Sequence, residues 1–312
     1  MVHKVIQTEK LPQACTDWLK GQCELHVCPP DSDEFIEALN FADALVVRTY
    51  TKVNRETISA APELKVVGRA GVGVDNIDLE ACRDNGVRVV NTPNANTDSV
   101  VDFLLSRMLM KLRKAVLVEG GTSQEEWDFL RDSCRSEWQF NELTLGIVGF
   151  GRIGGRFGCL ARQLGFRVLF HDIIPINESY GCEQIPLKEL LKSSNVVSIN
   201  VDGRKANHHM CDSGFFKLMR PDCLFINSAR GLVVDAAALA KHLTSNELAT
   251  AILDVHDPEP IAKEYPLLNL PNAELYPHVA CKTNSAAVNM GWVVRDVISV
   301  LNNGVPQHEI SL

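Results

Sequence analysis

The chain has 312 residues, 46% hydrophobic and 22% charged. At roughly 150 residues per domain this predicts two globular domains and excludes a disordered, collagen-like or disulfide-scaffold protein. Thirty-one Lys and Arg stand against 39 Asp and Glu, a net charge of −8 with no basic run, so no nucleic-acid partner is expected. The ten cysteines, at 15, 23, 28, 82, 134, 159, 182, 211, 223 and 281, contain no C-x-x-C pair and read as reduced thiols of a cytosolic protein. The N-terminus carries charges where a signal peptide needs its apolar core, and Asp102 and Arg107 interrupt the most apolar later segment. A cytoplasmic protein that neither crosses nor binds a membrane is the expectation.

Residues 1–91 alternate short apolar runs with amphipathic stretches, the pattern of β-α units in a parallel sheet. Five strands are predicted, at His3–Gln7, Glu24–Val27, Ala44–Arg48, Leu64–Arg69 and Val87–Asn91, with helices near 11–20, 32–40, 54–60 and 76–85. Asp33, Asn54 and Asp75 or Asn76 are the predicted N-caps, and Gly21 and Gly86 follow helices where a terminating glycine belongs. A long helix is predicted over 97–118, with a cap at Thr97 or Asp98. The polar segment Glu119–Asn141, with Trp127 and Trp138, has no clear period and reads equally as an arm, a dimer contact or a surface loop. Six further strands follow, at Thr144–Val148, Arg167–Phe170, Val196–Asn200, Cys223–Asn227, Thr250–Asp254 and Glu274–Tyr276, the count of a doubly wound dinucleotide-binding sheet. A last helix over about 284–301 is placed to pack back on the first domain. The predicted fold is therefore α/β, with two doubly wound parallel-sheet domains: 1–96 with 285–312, and 97–284.

Gly149-Phe150-Gly151-Arg152-Ile153-Gly154 follows a strand and opens a helix running to about Leu164. That context turns G-x-G-x-x-G into a dinucleotide fingerprint. Gly149 permits the tight turn, Gly151 the approach of a pyrophosphate, and Gly154 close packing of helix on strand, with the phosphates at the helix N-terminus. Asp172 ends the next strand, 172 − 154 = 18 residues later. As more than a turn residue, it would accept bonds from the adenine ribose hydroxyls and repel a 2′-phosphate, which selects NAD over NADP.

Arg230, Glu259 and His278 stand in polar motifs after consecutive strands, where a doubly wound sheet collects its ligand contacts. Singly each has an ordinary structural reading; together, behind a dinucleotide fingerprint, they fit hydride transfer to a 2-oxo acid. Arg230 offers a planar fork for a carboxylate and for polarising the neighbouring carbonyl. His278 would give or take the carbonyl proton, and Glu259 would fix the tautomer of His278 and favour its protonated form. His208 and His209 are adjacent and lack acidic or thiol partners at ligand spacing, so a polar loop is expected and no metal. Cys281 is expected to be an inert thiol.

The chain resembles the D-isomer-specific 2-hydroxyacid dehydrogenases, above all their short phosphoglycerate dehydrogenase-like branch. The resemblance runs through Val47-Arg48-Thr49, Gly68 to Asp78, Asn91-Thr92-Pro93-Asn94, the glycine fingerprint with Asp172, Asn227-Ser228-Ala229-Arg230-Gly231, Leu253-Asp254-Val255 with Glu259-Pro260, and Pro277-His278. It implies a Rossmann domain and a flavodoxin-like substrate domain, and it implies Arg230, Glu259 and His278 as the catalytic set. It further implies that Gly71, Val72 and Gly73 cradle the substrate carboxylate, with Arg48 and Arg69 near for a second anionic group. Arg152 and Ile153 would flank the pyrophosphate, Val201, Ser228 and Ala229 would join the cofactor contacts, and Asp254 would meet the nicotinamide amide. The implied activity is NAD-dependent interconversion of a small D-2-hydroxy acid and its 2-oxo acid, of the phosphoglycerate, hydroxypyruvate or glyoxylate type, in a homodimer.

The chain departs from the family pattern at Asn200-Val201-Asp202-Gly203, which sets a carboxylate beside the expected cofactor and would weaken its binding, and at Ala280-Cys281-Lys282. The alternative function is an NAD-sensing binding protein similar to the C-terminal-binding-protein corepressors. A peptide partner without turnover of any 2-oxo acid would select it.

Overall fold

In the computed structural model, which describes residues 2–312, the first alternation forms a five-stranded parallel sheet. Its elements run β1 (Lys4–Gln7), α1 (Gln13–Lys20), β2 (Glu24–Val27), α2 (Asp33–Leu39), β3 (Ala44–Val47), α3 (Arg55–Ser59), β4 (Val66–Arg69), α4 (Leu79–Asp84) and β5 (Arg88–Val90), with strand order β2-β1-β3-β4-β5. This is the flavodoxin-like order. β3 and the first residues of β4 are buried because helices cover both faces, which is why they read as unbroken apolar runs. The caps differ in part from the expected ones. Ser32 caps α2 instead of Asp33, and Asp78 caps α4 instead of Asp75 or Asn76, since only those oxygens reach the third N–H of the helix; Asn54 caps α3 as read.

The second unit, Thr97–Ala280, begins with α5 (Thr97–Leu112) and α6 (Gln124–Ser133). It continues β6 (Thr144–Val148), α7 (Arg152–Gln163), β7 (Arg167–His171), β8 (Glu183–Gln184), α8 (Leu187–Ser193), β9 (Val196–Ile199), α9 (Ser213–Leu218), β10 (Leu224–Asn227), α10 (Ala236–Ser245), β11 (Thr250–Leu253) and β12 (Ala273–Leu275). All strands are parallel, in the order β12-β11-β10-β9-β6-β7-β8. Four points correct the sequence reading. The sheet has seven strands, because β8 adds a two-residue exposed edge to β7. The predicted 97–118 helix stops at Leu112, with Thr97 and Asp98 inside its first turn, and the apolar residues Val116, Leu117 and Val118 beyond it are exposed. A helix, α6, lies in the segment that shows no period, and none of its residues is buried. The last predicted helix is two, α11 (Asn284–Gly291) and α12 (Val293–Leu301), meeting at Trp292.

α11 and α12 belong with the first unit, which comprises the residues to Asn96 and Cys281–Leu312. α12 buries Val293, Val294, Val297, Ile298, Val300 and Leu301 against the β1–β4 face with Leu19, Val46 and Val66. Gly68 in β4 leaves the space that Val297 fills, and a Cβ there would overlap the valine. Among the described residues no helix is long and apolar enough to cross a membrane, and none of the ten cysteines is disulfide-bonded.

Candidate active site

The order in which strands are added to the second sheet reverses at β6, and the glycine loop lies at that switch point. Gly149 sits at φ +89°, a conformation that favours glycine, with its Cα against the backbone of Asn200. A Cβ at Gly154 would overlap the Gly149 carbonyl oxygen, so the close approach of α7 to β6 depends on its absence. At Gly151 a Cβ would meet nothing within 4 Å. No side chain caps α7, which leaves its first N–H groups, including those of Arg152 and Ile153, facing that open space. The Oδ1 atom of Asn200 is buried beside this loop without a partner. An anionic dinucleotide fits these features: backbone donors, a positive helix end, room at Gly151 and an acceptor left over.

Asp172 sits after β7, where its Oδ2 accepts the Phe150 N–H at 2.7 Å and its Oδ1 the Ile174 N–H at 3.3 Å. A carboxylate has about four lone-pair sites, so holding the glycine loop leaves capacity for ribose hydroxyls. Val201 packs beside Gly149. The neighbouring Asp202 is ion-paired with Arg204 and accepts a bond from Asn207. The Arg204 hydrogen bond outweighs burial and holds Asp202 below the usual carboxylate range, so its charge is matched locally.

Arg230, Glu259 and His278 follow β10, β11 and β12, three neighbouring strands. Buried Asn227 shapes the first loop: its Nδ2 donates to the Arg230 carbonyl at 3.0 Å and its Oδ1 accepts the Ala229 N–H at 3.0 Å, which also fixes half-buried Ser228 between them. The Nη1 of Arg230 donates to the Ala229 carbonyl at 2.7 Å. At Gly231 a Cβ would overlap the His256 carbonyl, so the Arg230 loop presses directly on the loop that carries Glu259.

His278 Nδ1 lies 2.8 Å from Glu259 Oε2, and the Glu259 Oε1 accepts the His256 N–H at 2.9 Å. Burial alone would raise the Glu259 pKa, but the bonds from His278 and His256 outweigh it and hold the carboxyl below its ordinary value. His278 is a non-glycine residue at φ +55°, a conformation that the surroundings must enforce. Asp254 does so, its carbonyl accepting the His278 N–H at 2.9 Å and its carboxylate the N–H groups of Val279 and Ala280 at 2.7 and 2.8 Å. Desolvation of this carboxyl, 1% exposed, raises its pKa against those two bonds. His208 and His209 stack on each other at 3.9 Å, and among the described residues no cluster of three metal-ligating side chains forms.

In the first unit Gly71 sits at φ +150°, with the Arg69 guanidinium lying over its Cα. Its carbonyl accepts the Thr92 N–H at 3.1 Å and that of Val72 the Asn91 Nδ2 at 2.7 Å, so the turn that continues to Gly73 is anchored on the segment after β5. Arg48 donates from Nη1 to the Lys10 carbonyl at 3.0 Å. The loop that carries it is held by a residue that sequence reasoning missed: the Glu9 carboxylate accepts the N–H groups of Arg48, Thr49, Tyr50 and Thr51 and the Thr51 hydroxyl, all at 3.0–3.1 Å. Burial opposes ionisation of Glu9, but these bonds prevail and its pKa falls below 4.5. A depressed folded pKa stabilises above the unfolded value and loses that stabilisation as pH falls through the folded one. Glu9→Gln is therefore expected to cost about 1–3 kcal/mol at pH 7, measured by urea denaturation, and the gap from the unaltered chain should close below pH 4.5.

Residues 105–280 match the family model for the D-isomer specific 2-hydroxyacid dehydrogenase, NAD binding domain. The chain is 34% identical over 313 residues to a D-3-phosphoglycerate dehydrogenase of Archaeoglobus fulgidus, covering 97% of this chain but only 58% of that relative's length. It is 31% identical to a glyoxylate reductase of Korarchaeum cryptofilum, covering 97% of this chain and 94% of the relative. Among solved structures, the TT0316 protein of Thermus thermophilus superposes with a TM-score of 0.84 at 30% identity, over 99% of this chain and 100% of that one. The α/β architecture with two parallel sheets, the dinucleotide-binding loop and these matches have one explanation: the chain belongs to the D-isomer specific 2-hydroxyacid dehydrogenase family.

Proposed function

We propose that this protein is an NAD-dependent oxidoreductase that interconverts a small D-2-hydroxy acid and its 2-oxo acid. The observation that carries this reading is the 2.8 Å contact between His278 Nδ1 and Glu259, with Arg230 on the adjoining loop. With Nδ1–H donated to the carboxylate, Nε2 is the atom of His278 that exchanges a proton with the substrate oxygen. Arg230 binds the substrate carboxylate and polarises the carbonyl. The nicotinamide, when bound, supplies the hydride to the carbonyl carbon. Glu259 balances the imidazolium that exists between proton transfers. In the first unit Gly71, Val72 and Gly73 offer backbone to a substrate carboxylate, and Arg48 and Arg69 offer cations to a second anionic group, as a phosphorylated substrate would need. The names of the relatives, phosphoglycerate dehydrogenase and glyoxylate reductase, set the range of acids to try.

The test is NADH oxidation with a panel of 2-oxo acids, phosphohydroxypyruvate, hydroxypyruvate and glyoxylate included, beside Arg230→Ala. Turnover lost in the variant supports the reading. No turnover of any acid by the unaltered chain, with NADH bound, overturns it. For the cofactor, Asp172→Asn keeps an acceptor for the Phe150 N–H but removes the charge. It is expected to narrow the preference for NADH over NADPH by about tenfold, the scale of a solvent-screened charge repulsion, in a fluorescence titration of both cofactors.

We assign a homodimer from the segment after α5. Leu117 is 85% and Phe129 71% exposed, and Trp127 and Trp138 border a concavity of about 1320 Å³. Apolar surface of this kind marks an interface. Light scattering at micromolar concentration should give twice the chain mass, and Phe129→Glu should give the monomer. A cytoplasmic location accords with the reduced thiols.

A further inference from the structure

Glu259 and His278 stand on different loops, and one residue touches all three loops of the proposed catalytic set. His256 is 6% exposed and lies between Asp254 and Glu259. Its backbone N–H donates to Glu259 Oε1 at 2.9 Å. Its Nε2 lies 2.8 Å from the carbonyl oxygen of Tyr276, two residues before His278. Since that oxygen can only accept, Nε2 carries the ring proton. The other nitrogen, Nδ1, is buried without a partner, so the hydrogen bonding of the ring is spent on this carbonyl. The same residue's carbonyl abuts Gly231, next to Arg230. An edge-on contact with Tyr265, 5.5 Å between ring centroids, holds the ring in place.

We infer that His256 is a positioning residue, whose ring ties the Glu259 loop to the strand end before His278 and so sets the carboxylate–imidazole distance. This rests on the catalytic reading of Glu259 and His278. His256 does not itself meet the substrate; it acts through Glu259 and His278.

The experiment ranks two substitutions whose order depends on the mechanism. H256F keeps the ring bulk and the Tyr265 contact but has no donor for the Tyr276 carbonyl. H256Q loses the ring and keeps an N–H near the Nε2 position. If His256 positions by its hydrogen bond, H256F lowers kcat about 10- to 100-fold, with KM for the 2-oxo acid and Kd for NADH within about 3-fold of the unaltered chain, and H256Q recovers most of the loss. If the residue only fills space, the order reverses. In an E259Q background H256F should cost less than about 3-fold more, because residues acting through one another are non-additive. Turnover of H256F equal to the unaltered chain, H256Q no better than H256F, or a full additional loss in E259Q overturns the inference. If H256F fails to bind NADH, H256M, which is apolar and flexible, takes its place and must show the same loss. H278A and E259Q measured alone separate the two levels: if neither lowers turnover, the catalytic reading falls and the positioning role with it. If both do and H256F does not, the positioning role falls alone.

Discussion

His278→Ala is expected to reduce kcat by about 10²- to 10⁴-fold, the usual contribution of a positioned acid–base group. Reduction of a 2-oxo acid leaves an alkoxide unless a proton arrives as the carbonyl carbon is reduced, and in the proposed mechanism Nε2 of His278 delivers it. Alanine removes the proton source while leaving the turn intact, because that turn is held by backbone bonds to Asp254 that do not involve the imidazole. The NADH titration should therefore be unchanged, so the loss falls on the chemical step. Glu259→Gln should cost less, because the imidazole keeps a neutral partner. It also removes a carboxyl whose depressed pKa adds stability above about pH 4.5 that fades as pH falls through its folded value. Equal turnover in His278→Ala and the unaltered chain would remove His278 from the reaction.

Gly154→Ala is expected to act on the cofactor. The added carbon falls on the Gly149 carbonyl oxygen and 3.1 Å from Ile147 Cγ2, both at the end of strand β6. The loop is closely packed on its far strand too, since a carbon added at Gly149 would lie 2.7 Å from the Asn200 carbonyl oxygen. The first turn of α7 must tilt away, at a cost of about 1–3 kcal/mol in stability, and its N–H groups leave the position where the phosphates would lie. NADH affinity should fall by about 100-fold. Gly151→Ala is the informative partner. Its Cβ enters open space in a loop of ordinary φ, −75°, so the melting temperature without cofactor should not change, yet the same carbon occupies the approach of the pyrophosphate. Loss of NADH binding in both variants, with destabilisation only in Gly154→Ala, separates the packing glycine from the binding one.

These particulars show what a sequence carries. β3, β4, β6, β9 and β10 were legible because burial on both faces makes them short apolar runs between turn residues. The glycine loop was legible because its three positions fall within six residues. α6 was not, since a helix with no buried residue gives no apolar stripe, nor was β8, whose two residues are exposed. At the site, the motifs pointed to Arg230, Glu259 and His278, but not to what holds them. Asn227 was in plain view as a polar residue ending an apolar strand, and its clamp on Arg230 spans three residues. The bonds from Glu9 to Arg48 and beyond cross 39 to 42 positions, and the ring of His256 reaches 20 positions on, separations with no local signature.

Gly68 and the side chain that fills its space, Val297, are separated by 297 − 68 = 229 positions. During synthesis the N-terminal sheet is thus made long before the helix that covers one of its faces. The intervening unit is contiguous and has all its own strands, so it is complete in the chain while the earlier sheet still lacks the cover that α12 gives Val46 and Val66. That interval is when the nascent protein is most exposed to aggregation and most in need of a chaperone. A stop codon between Cys281 and Trp292 would leave every strand of the second unit in the chain while depriving the first sheet of α12.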